Sequence, residues 1–165
     1  AAPVDNELAA ALRAEWDAPA LQPPVDHGIT TPLALGLAAE TKVVAVSLRD
    51  VKDGISFADS LHAVAKRDEK HIALVASAHL CAALAARAPI PLREQAVALE
   101  EQVLGGIRRD VSFLVERADD LETVGASCGA GPLAAIGHCF EGRPAEVVAY
   151  DRTFGVGYLV ARLDV

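Results

Sequence analysis

Residues 42–48, KVVAVSL, and residues 71–77, HIALVAS, are short apolar segments on either side of a longer amphipathic stretch at residues 56–67. Both short segments are rich in aliphatic side chains with little polar interruption, as is typical of strands covered on both faces in a parallel sheet. In the stretch between them, Phe57 and Leu61 are four positions apart and share one face of a helix. The order strand, helix, strand predicts a right-handed βαβ unit.

The rest of the chain shows the same alternation of helical and extended patterns. We predict helices at residues 6–16, 30–39, 92–116 (with a break at Gly105 and Gly106) and 132–140, a surface connection at 17–24, and closing strands at 147–150 and 157–163 joined by a turn at 151–155. Alternating elements predict an α/β fold, a three-layer sandwich with a mostly parallel central sheet. The absence of a repeat or a flexible linker indicates one domain over residues 1–165.

The composition excludes several classes of partner. Hydrophobic residues make up 52% of the chain and aromatic residues only 4%, so we expect a core of small side chains. The net charge is -8, and Lys and Arg are scattered, so nucleic acid and anionic membrane surfaces are not expected partners. The longest apolar runs fall far short of the roughly 20 residues that cross a bilayer, so no membrane span is predicted.

The cysteines and the N-terminus indicate a cytoplasmic protein. Cys81, Cys128 and Cys139 form no CxxC pair and are odd in number, which favours a reducing compartment over a disulfide framework. No secretory signal precedes the first helix. The chain starts at Ala1 and contains no Met, so we expect a trimmed chain or a start inside a longer domain.

Two segments carry candidate histidines. At Asp26-His27-Gly28, a turn glycine places an imidazole beside a predicted helix start, where an anion would be favoured. The alternative, that Asp26 caps the helix and His27 merely packs there, is about equally supported. His79 follows the predicted strand 71–77, where ligand sites of open α/β sheets lie, although a surface His beside a buried Cys81 is the simpler interpretation.

Two further segments are rich in glycine. Cys128 lies in a turn at residues 125–132 that leads into a predicted helix, whose positive end would lower a thiol pKa. Cys128 is therefore a candidate nucleophile or metal ligand, with tight backbone packing as the more conservative interpretation. Residues 150–161 contain Gly155 and Gly157, for which we expect a structural role.

Taken in order along residues 8–163, these segments resemble the LigB superfamily of class III extradiol ring-cleavage dioxygenases. The similarity rests on residues 26–33 (DHGITTPL), 77–82 (SAHLCA), 128–129 (CG) and 150–161 (YDRTFGVGYLVA). The resemblance implies the LigB/phosphorylase-like sandwich, of which this chain would be the C-terminal two-thirds.

The resemblance also implies a mononuclear Fe(II) site held by two histidines and a carboxylate. Both histidines would precede Ala1, and the carboxylate would fall near Ser127 or Cys128; a related Memo-type branch has a cysteine there. The family's general base corresponds to Ala82, which cannot accept a proton. His27 matches a substrate-contacting residue, and His79 is a displaced substitute for the base.

We therefore expect a non-catalytic member that binds no iron by itself and acts as a partner subunit of a related LigB-type chain. The rival hypothesis is an active non-heme Fe(II) dioxygenase or Memo-like metal protein, in which His27, His79 and Cys128 complete a site with ligands from a preceding segment or another chain. A third hypothesis, resting on His27, is a module that binds a small aromatic ligand without turnover. Each hypothesis predicts a homo- or hetero-oligomer that covers an exposed sheet edge and apolar helix faces.

Overall fold

The computed structural model describes residues 3–16, 27–36, 40–88 and 90–164. In these ranges the chain is rich in helix and contains one two-stranded antiparallel sheet. The elements in chain order are α1 (Asn6–Glu15), α2 (His27–Gly36), α3 (Val51–Arg67), α4 (Glu94–Ile107), α5 (Phe113–Glu116), α6 (Ala118–Thr123), α7 (Ala130–Cys139), β1 (Glu146–Asp151) and β2 (Tyr158–Arg162).

Side-chain caps explain where α1 and α3 begin. The Asp5 carboxylate accepts a hydrogen bond from the Leu8 N–H at 3.0 Å, and the Asp50 carboxylate accepts one from the Asp53 N–H at 2.9 Å. Each bond satisfies a backbone donor that the first turn leaves without a helical partner. α3 ends in Lys66 and Arg67, whose positive charges suit the negative end of the helix dipole.

α3 and α7 form the central helix pair, and their backbones approach closely. A Cβ at Gly54 of α3 would overlap the Gly131 carbonyl oxygen of α7 and come within 3.1 Å of the Ala135 nitrogen. Ala134 and Ala135 of α7 are buried as well. The small side chains that dominate the composition therefore serve close helix packing.

The prediction of a three-layer sandwich with a parallel central sheet is wrong. Residues 42–48 and 71–77 are not strands: outside the β1–β2 sheet, the described residues contain only an isolated parallel bridge between Val4 and Val43. Residues 71–78 alternate between exposed and half-buried, so only one face of this segment is covered.

The physical reason lies in what the two segments contact. Many of their half-buried side chains pack on one apolar cluster, which Phe57, Leu61 and Val64 of α3 form together with residues of α1 and α7. The side chains that pack on it are Val44, Val46, Leu48, Ile72 and Leu74. This packing contributes to the apolar character from which we predicted buried strands. A strand also needs a hydrogen-bonded neighbour, and the sequence pattern does not report whether one is present.

The helix predictions were correct in kind but differ in their bounds. The helix predicted at 6–16 is confirmed as α1, while those predicted at 30–39, 56–67 and 132–140 begin earlier, at His27, Val51 and Ala130. The connection predicted at 17–24 lies outside the described residues.

The predicted break at Gly105 and Gly106 was misplaced. α4 continues through both glycines to Ile107, and α5 begins only at Phe113. The Phe113 ring packs where a Cβ of Gly106 would lie. The glycine therefore marks a close contact rather than a helix end.

The two predicted closing strands are confirmed, and in the structure they pair with each other in antiparallel orientation. Tyr150 lies opposite Leu159, and the register shifts between Val147 and Ala149. Side chains on one face of this hairpin pack on the larger core cluster, which includes residues of α4, α6 and the 80–84 segment. Of the helices described, none combines the length and the apolarity that crossing a membrane requires.

A substitution at Gly54 should test the helix contact. We expect Gly54→Ala to lower the free energy of unfolding by about 1–3 kcal/mol, because the added Cβ must push α7 away from α3. Gly105→Ala is the matched control, since nothing lies within 4 Å of its Cβ position and Ala favours a helix by up to about 1 kcal/mol. In urea unfolding, G105A should have the highest midpoint and G54A the lowest, with the wild type between them. Equal midpoints for G54A and wild type would contradict this packing.

Candidate functional site

The candidate site is a cluster of three loop segments, residues 77–84, 125–129 and 155–157, which we call the loop cluster. Backbone hydrogen bonds connect them. The Gly157 N–H donates to the Cys81 carbonyl at 2.8 Å, and the Leu80 N–H donates to the Gly157 carbonyl at 3.2 Å. The Ala82 N–H donates to the Gly125 carbonyl at 2.8 Å. The segment 77–84 therefore lies between the other two segments.

The polar side chains of the loop cluster hold its backbone together. The Ser127 hydroxyl donates to the His79 carbonyl at 2.7 Å, and the His79 Nε2 lies 3.0 Å from the Ala126 carbonyl oxygen. Because a carbonyl only accepts, this second contact requires the proton on Nε2. Ala126 has a φ of 54°, a left-handed conformation that this pair of bonds helps to stabilise. Both side chains are thus occupied by structural bonds.

A buried carboxyl lies beneath this cluster. Glu100 of α4 is 0% exposed, and a Cβ at Gly157 would overlap its Oε1 atom. Among the described residues, neither carboxylate oxygen has a hydrogen-bond partner, and the buried Tyr150 hydroxyl has none either. The two groups are close enough for the tyrosine hydroxyl to favour the charged carboxylate, but the contact falls short of full hydrogen-bond geometry.

Burial dominates the electrostatics of this region. It raises the pKa of Glu100 to about 7, against the smaller opposing effects of Tyr150 and Arg152. Burial, and then the charge of Glu100, raise the pKa of the Cys81 thiol to about 12. The pKa of Tyr150 is raised to about 12 by the same two causes. At neutral pH the thiol and the phenol therefore carry their protons, and the Glu100 carboxyl titrates far above its ordinary acid range.

The structure brings some of the predicted residues together and leaves others apart. His79 and Cys128 lie in adjoining segments, since a Cβ at Gly129 would overlap the Ala78 side chain. Cys128 is exposed, whereas Cys81 is buried, as the simpler interpretation had it. His27 is exposed at the first residue of α2, and within the described ranges no hydrogen bond or ion pair joins it to His79 or Cys128.

Sequence reasoning missed Glu100, although a signal was present. Ala96, Val103 and Leu104 are buried on α4, and helical spacing places Glu100 on the same face. A lone carboxylate on an apolar helix face is a signal for burial with a perturbed pKa. The position was obscured because the charged Glu101 follows it directly in the sequence, so that the pair resembles an exposed part of the helix.

The described residues do not by themselves form the mononuclear iron site that the resemblance implies. Within the described ranges, no group of three or more His, Cys, Asp or Glu side chains is arranged to hold a metal ion. The His79 Nε2 already bonds to a backbone carbonyl, and Ala82, where the resemblance places the general base, is buried.

Comparisons with protein-family models, with curated proteins and with solved structures found no match.

The contact between Gly157 and Glu100 should appear as an energetic coupling. We expect Gly157→Ala to destabilise the protein by about 1–3 kcal/mol, because the new methyl group would occupy the space of the Glu100 carboxyl. In the double variant with Glu100→Ala, that space is empty, so the added cost of G157A should be largely relieved. Chemical unfolding of the four proteins measures the coupling, and strictly additive losses would contradict the contact.

The free energy of unfolding should fall as pH rises through the neutral range. The Glu100 carboxyl titrates near ~4.3 when unfolded and at about 7 when folded, so between these values the folded state binds more protons. Its contribution is complete below the unfolded pKa and is lost as pH rises through the folded pKa, a change on the order of 3 kcal/mol. Glu100→Gln cannot ionise and should lack this slope.

Urea unfolding of wild type and E100Q from pH 4 to pH 8.5 measures the difference. Glu101→Gln is the matched control, because Glu101 is the exposed neighbour on the same helix. Subtracting the E100Q curve also removes the contributions of other carboxylates, such as Asp5 and Asp110. Their lowered pKa values make the free energy of unfolding rise with pH, at more acid pH. Parallel curves for wild type and E100Q would contradict the assignment.

Proposed function

We propose that this chain is a non-catalytic relative of the class III extradiol dioxygenases that acts as a partner subunit of a related LigB-type chain. The observation that carries the proposal is the loop cluster. Three segments that carry the motif resemblance, including residues 77–82, are interlocked there, and their polar side chains bond to backbone. These motifs support the proposal; the predicted parallel sheet does not, because the structure contradicts it.

The residues at the positions to which the resemblance assigns catalytic or ligand roles support a function without turnover. Ala82 has no group that accepts a proton, and its N–H is used in the bond to Gly125. The Ser127 hydroxyl donates to one backbone group and accepts from the Gly129 N–H at 3.3 Å. Nucleophilic or acid–base work requires a group that is available to substrate, and these groups are engaged elsewhere.

Exposed apolar surface supports the proposed partner. Val148, Tyr158 and Val160 of the hairpin are exposed, and Phe154 in its turn is 72% exposed. Large exposed apolar side chains gathered on one element are typical of protein interfaces. Val75, on the open side of residues 71–77, is exposed as well. We propose that a related subunit covers these surfaces.

The cysteines support a cytoplasmic location for this assembly. All three are free thiols, with Cys81 buried, Cys139 half-buried and Cys128 exposed. Free thiols persist in a reducing compartment. We propose the cytoplasm on this ground.

One observation favours the rival function, an active Fe(II) ring-opening dioxygenase or Memo-like metal protein. Cys128 is exposed in the segment next to His79, so its sulfur is accessible to a metal whose other ligands come from a preceding segment or another chain. In that case Cys128 would be a ligand and His79 a base, once its bond to Ala126 is released. His27 would contact the substrate.

Metal content and oxygen uptake distinguish the two functions. We expect protein reconstituted anaerobically with Fe(II) to retain no stoichiometric iron by mass spectrometry. We also expect it to consume no oxygen with protocatechuate or catechol. Stoichiometric iron with oxygen uptake would overturn the proposal, and loss of both in Cys128→Ser would assign the ligand.

The partner role has its own measurement. Sedimentation at micromolar concentration should show an oligomer of this chain, or a complex with a catalytic LigB-type subunit when the two are coexpressed. A monomer in both experiments would contradict a subunit role. A rise in melting temperature with catechol but no turnover would instead support the aromatic-binding module that His27 suggested.

A further inference from the structure

The feature with no role in the proposed function is the Glu100 carboxyl. It is a fully buried acidic group, without a hydrogen-bond partner among the described residues, under a segment that backbone bonds hold in place. We propose that Glu100 is a proton-controlled contact. With the carboxyl protonated, residues 155–157 stay bonded to residues 80–84; when the proton leaves to solvent, the two segments separate and the Cys81 thiol becomes accessible.

The geometry places the carboxyl where it can control this contact. Three backbone hydrogen bonds join the two segments: Gly157 N–H to the Cys81 carbonyl at 2.8 Å, Leu80 N–H to the Gly157 carbonyl at 3.2 Å and Leu84 N–H to the Gly155 carbonyl at 3.1 Å. The Oε1 atom of Glu100 lies directly against Gly157, at the centre of this set. A change in hydration at the carboxyl must therefore displace Gly157.

Few groups are available to stabilise the charged form in the closed arrangement. The titratable and charged groups that face Glu100 in the described part of the chain are Tyr150 from β1, Cys81 from the 80–84 segment and Arg152 from the hairpin turn. The Tyr150 hydroxyl is close to the carboxylate, but it forms no hydrogen bond with either oxygen. A buried carboxylate with so few donors is costly, so ionisation favours any opening that admits water.

Arg152 stabilises the open arrangement. Its guanidinium lies on the surface, 4.0 Å from the Glu101 carboxylate, with 49% of its side chain exposed. An exposed pair at this distance contributes little, so Arg152 is available to move toward a newly charged Glu100. Because Arg152 belongs to the same turn as residues 155–157, that movement and the separation of the segments are one rearrangement.

The turn that would move has an exposed outer part, whereas residues 155–157 are buried. Residues 152–154 are exposed, and Phe154 projects into solvent. Gly155 has a φ of 73°, and a Cβ there would come within 2.9 Å of the Ala85 Cβ, so this segment docks through a close contact with small side chains. Local opening of such a segment requires less free energy than unfolding of α3 and α7.

Amide hydrogen exchange of the full chain tests the proposal. We expect the protection factors of the Leu80, Leu84 and Gly157 amides, corrected for intrinsic exchange, to fall about tenfold or more between pH 5.5 and pH 8. The Val111 amide, bonded to the Arg143 carbonyl at 2.8 Å elsewhere in the core, should stay better protected than these three amides at both pH values, and its own loss should not exceed the fall in the free energy of unfolding measured in urea. Constant protection of all the amides would overturn the proposal, and so would protection of the three amides equal to that of Val111 at both pH values, since that reports global unfolding.

Variants separate Glu100 from other titrating groups. In Glu100→Gln the fall in protection should vanish, and in Glu101→Gln it should persist. In a protein carrying Cys128→Ser and Cys139→Ala, a thiol reagent can label only Cys81. At high pH this protein should be labelled faster than the same protein with E100Q added, and the difference should follow the loss of amide protection. Equal pH dependence with and without E100Q would overturn the proposal.

A measurement on the wild-type chain covers the case in which E100Q fails to fold. The carboxyl carbon shift of Glu100 and the amide shift of Gly157 should titrate together near neutral pH. Titration of the carboxyl at its ordinary acid value, or a Gly157 shift that does not follow it, would overturn the proposal. Neither result depends on iron content or oxygen uptake.

Discussion

The backbones of α3 and α7 approach closely because Gly54 lies against Gly131, where neither residue carries a side chain. This contact sets the position of the rest of the described structure. α1 packs on α3, and the short helices α5 and α6 pack on α7. On another side of α3, the extended residues 43–48 and 71–78 rest their apolar side chains on the cluster that includes Phe57. A chain with few aromatic residues gains its apolar burial through such short helix distances.

The loop cluster depends on the same helix pair. α7 begins at Ala130, directly after the turn that contains Ser127 and Gly129, so docking of α7 fixes where that turn meets residues 77–82. In the same turn, the Gly125 carbonyl accepts a hydrogen bond from the Ala82 N–H. The positions that the motif resemblance assigns to chemistry are bonded to backbone in this structure. We based the proposed role as a subunit without turnover on this bonding.

Glu100 is the exception to that pattern. Its two carboxyl oxygens are buried without a hydrogen-bond partner among the described residues, and burial of a charge there is costly. Residues that break local rules for folding are often the ones that respond to conditions. The hairpin turn lies next to this carboxyl and is bonded to residues 80–84 through Gly155 and Gly157. We therefore propose that this turn moves when Glu100 ionises.

Local sequence determined the elements whose causes are local. The caps at Asp5 and Asp50, the apolar face of α3 and the hairpin with its turn before Gly155 all follow from residues within a few positions of one another. The predicted kinds of element at these places are therefore correct, although the helix that Asp50 caps was predicted to begin only at residue 56. The buried Cys81 was likewise indicated by its residue type.

Only the tertiary structure decided whether residues 42–48 and 71–77 form a sheet, because strand pairing depends on a neighbour distant in sequence. The same holds for Gly106, which the pattern assigned to a helix break and which the Phe113 ring explains. Glu100 shows the reason most clearly. Its helical position predicts which way it faces, but its burial depends on Gly157, 57 residues further along the chain.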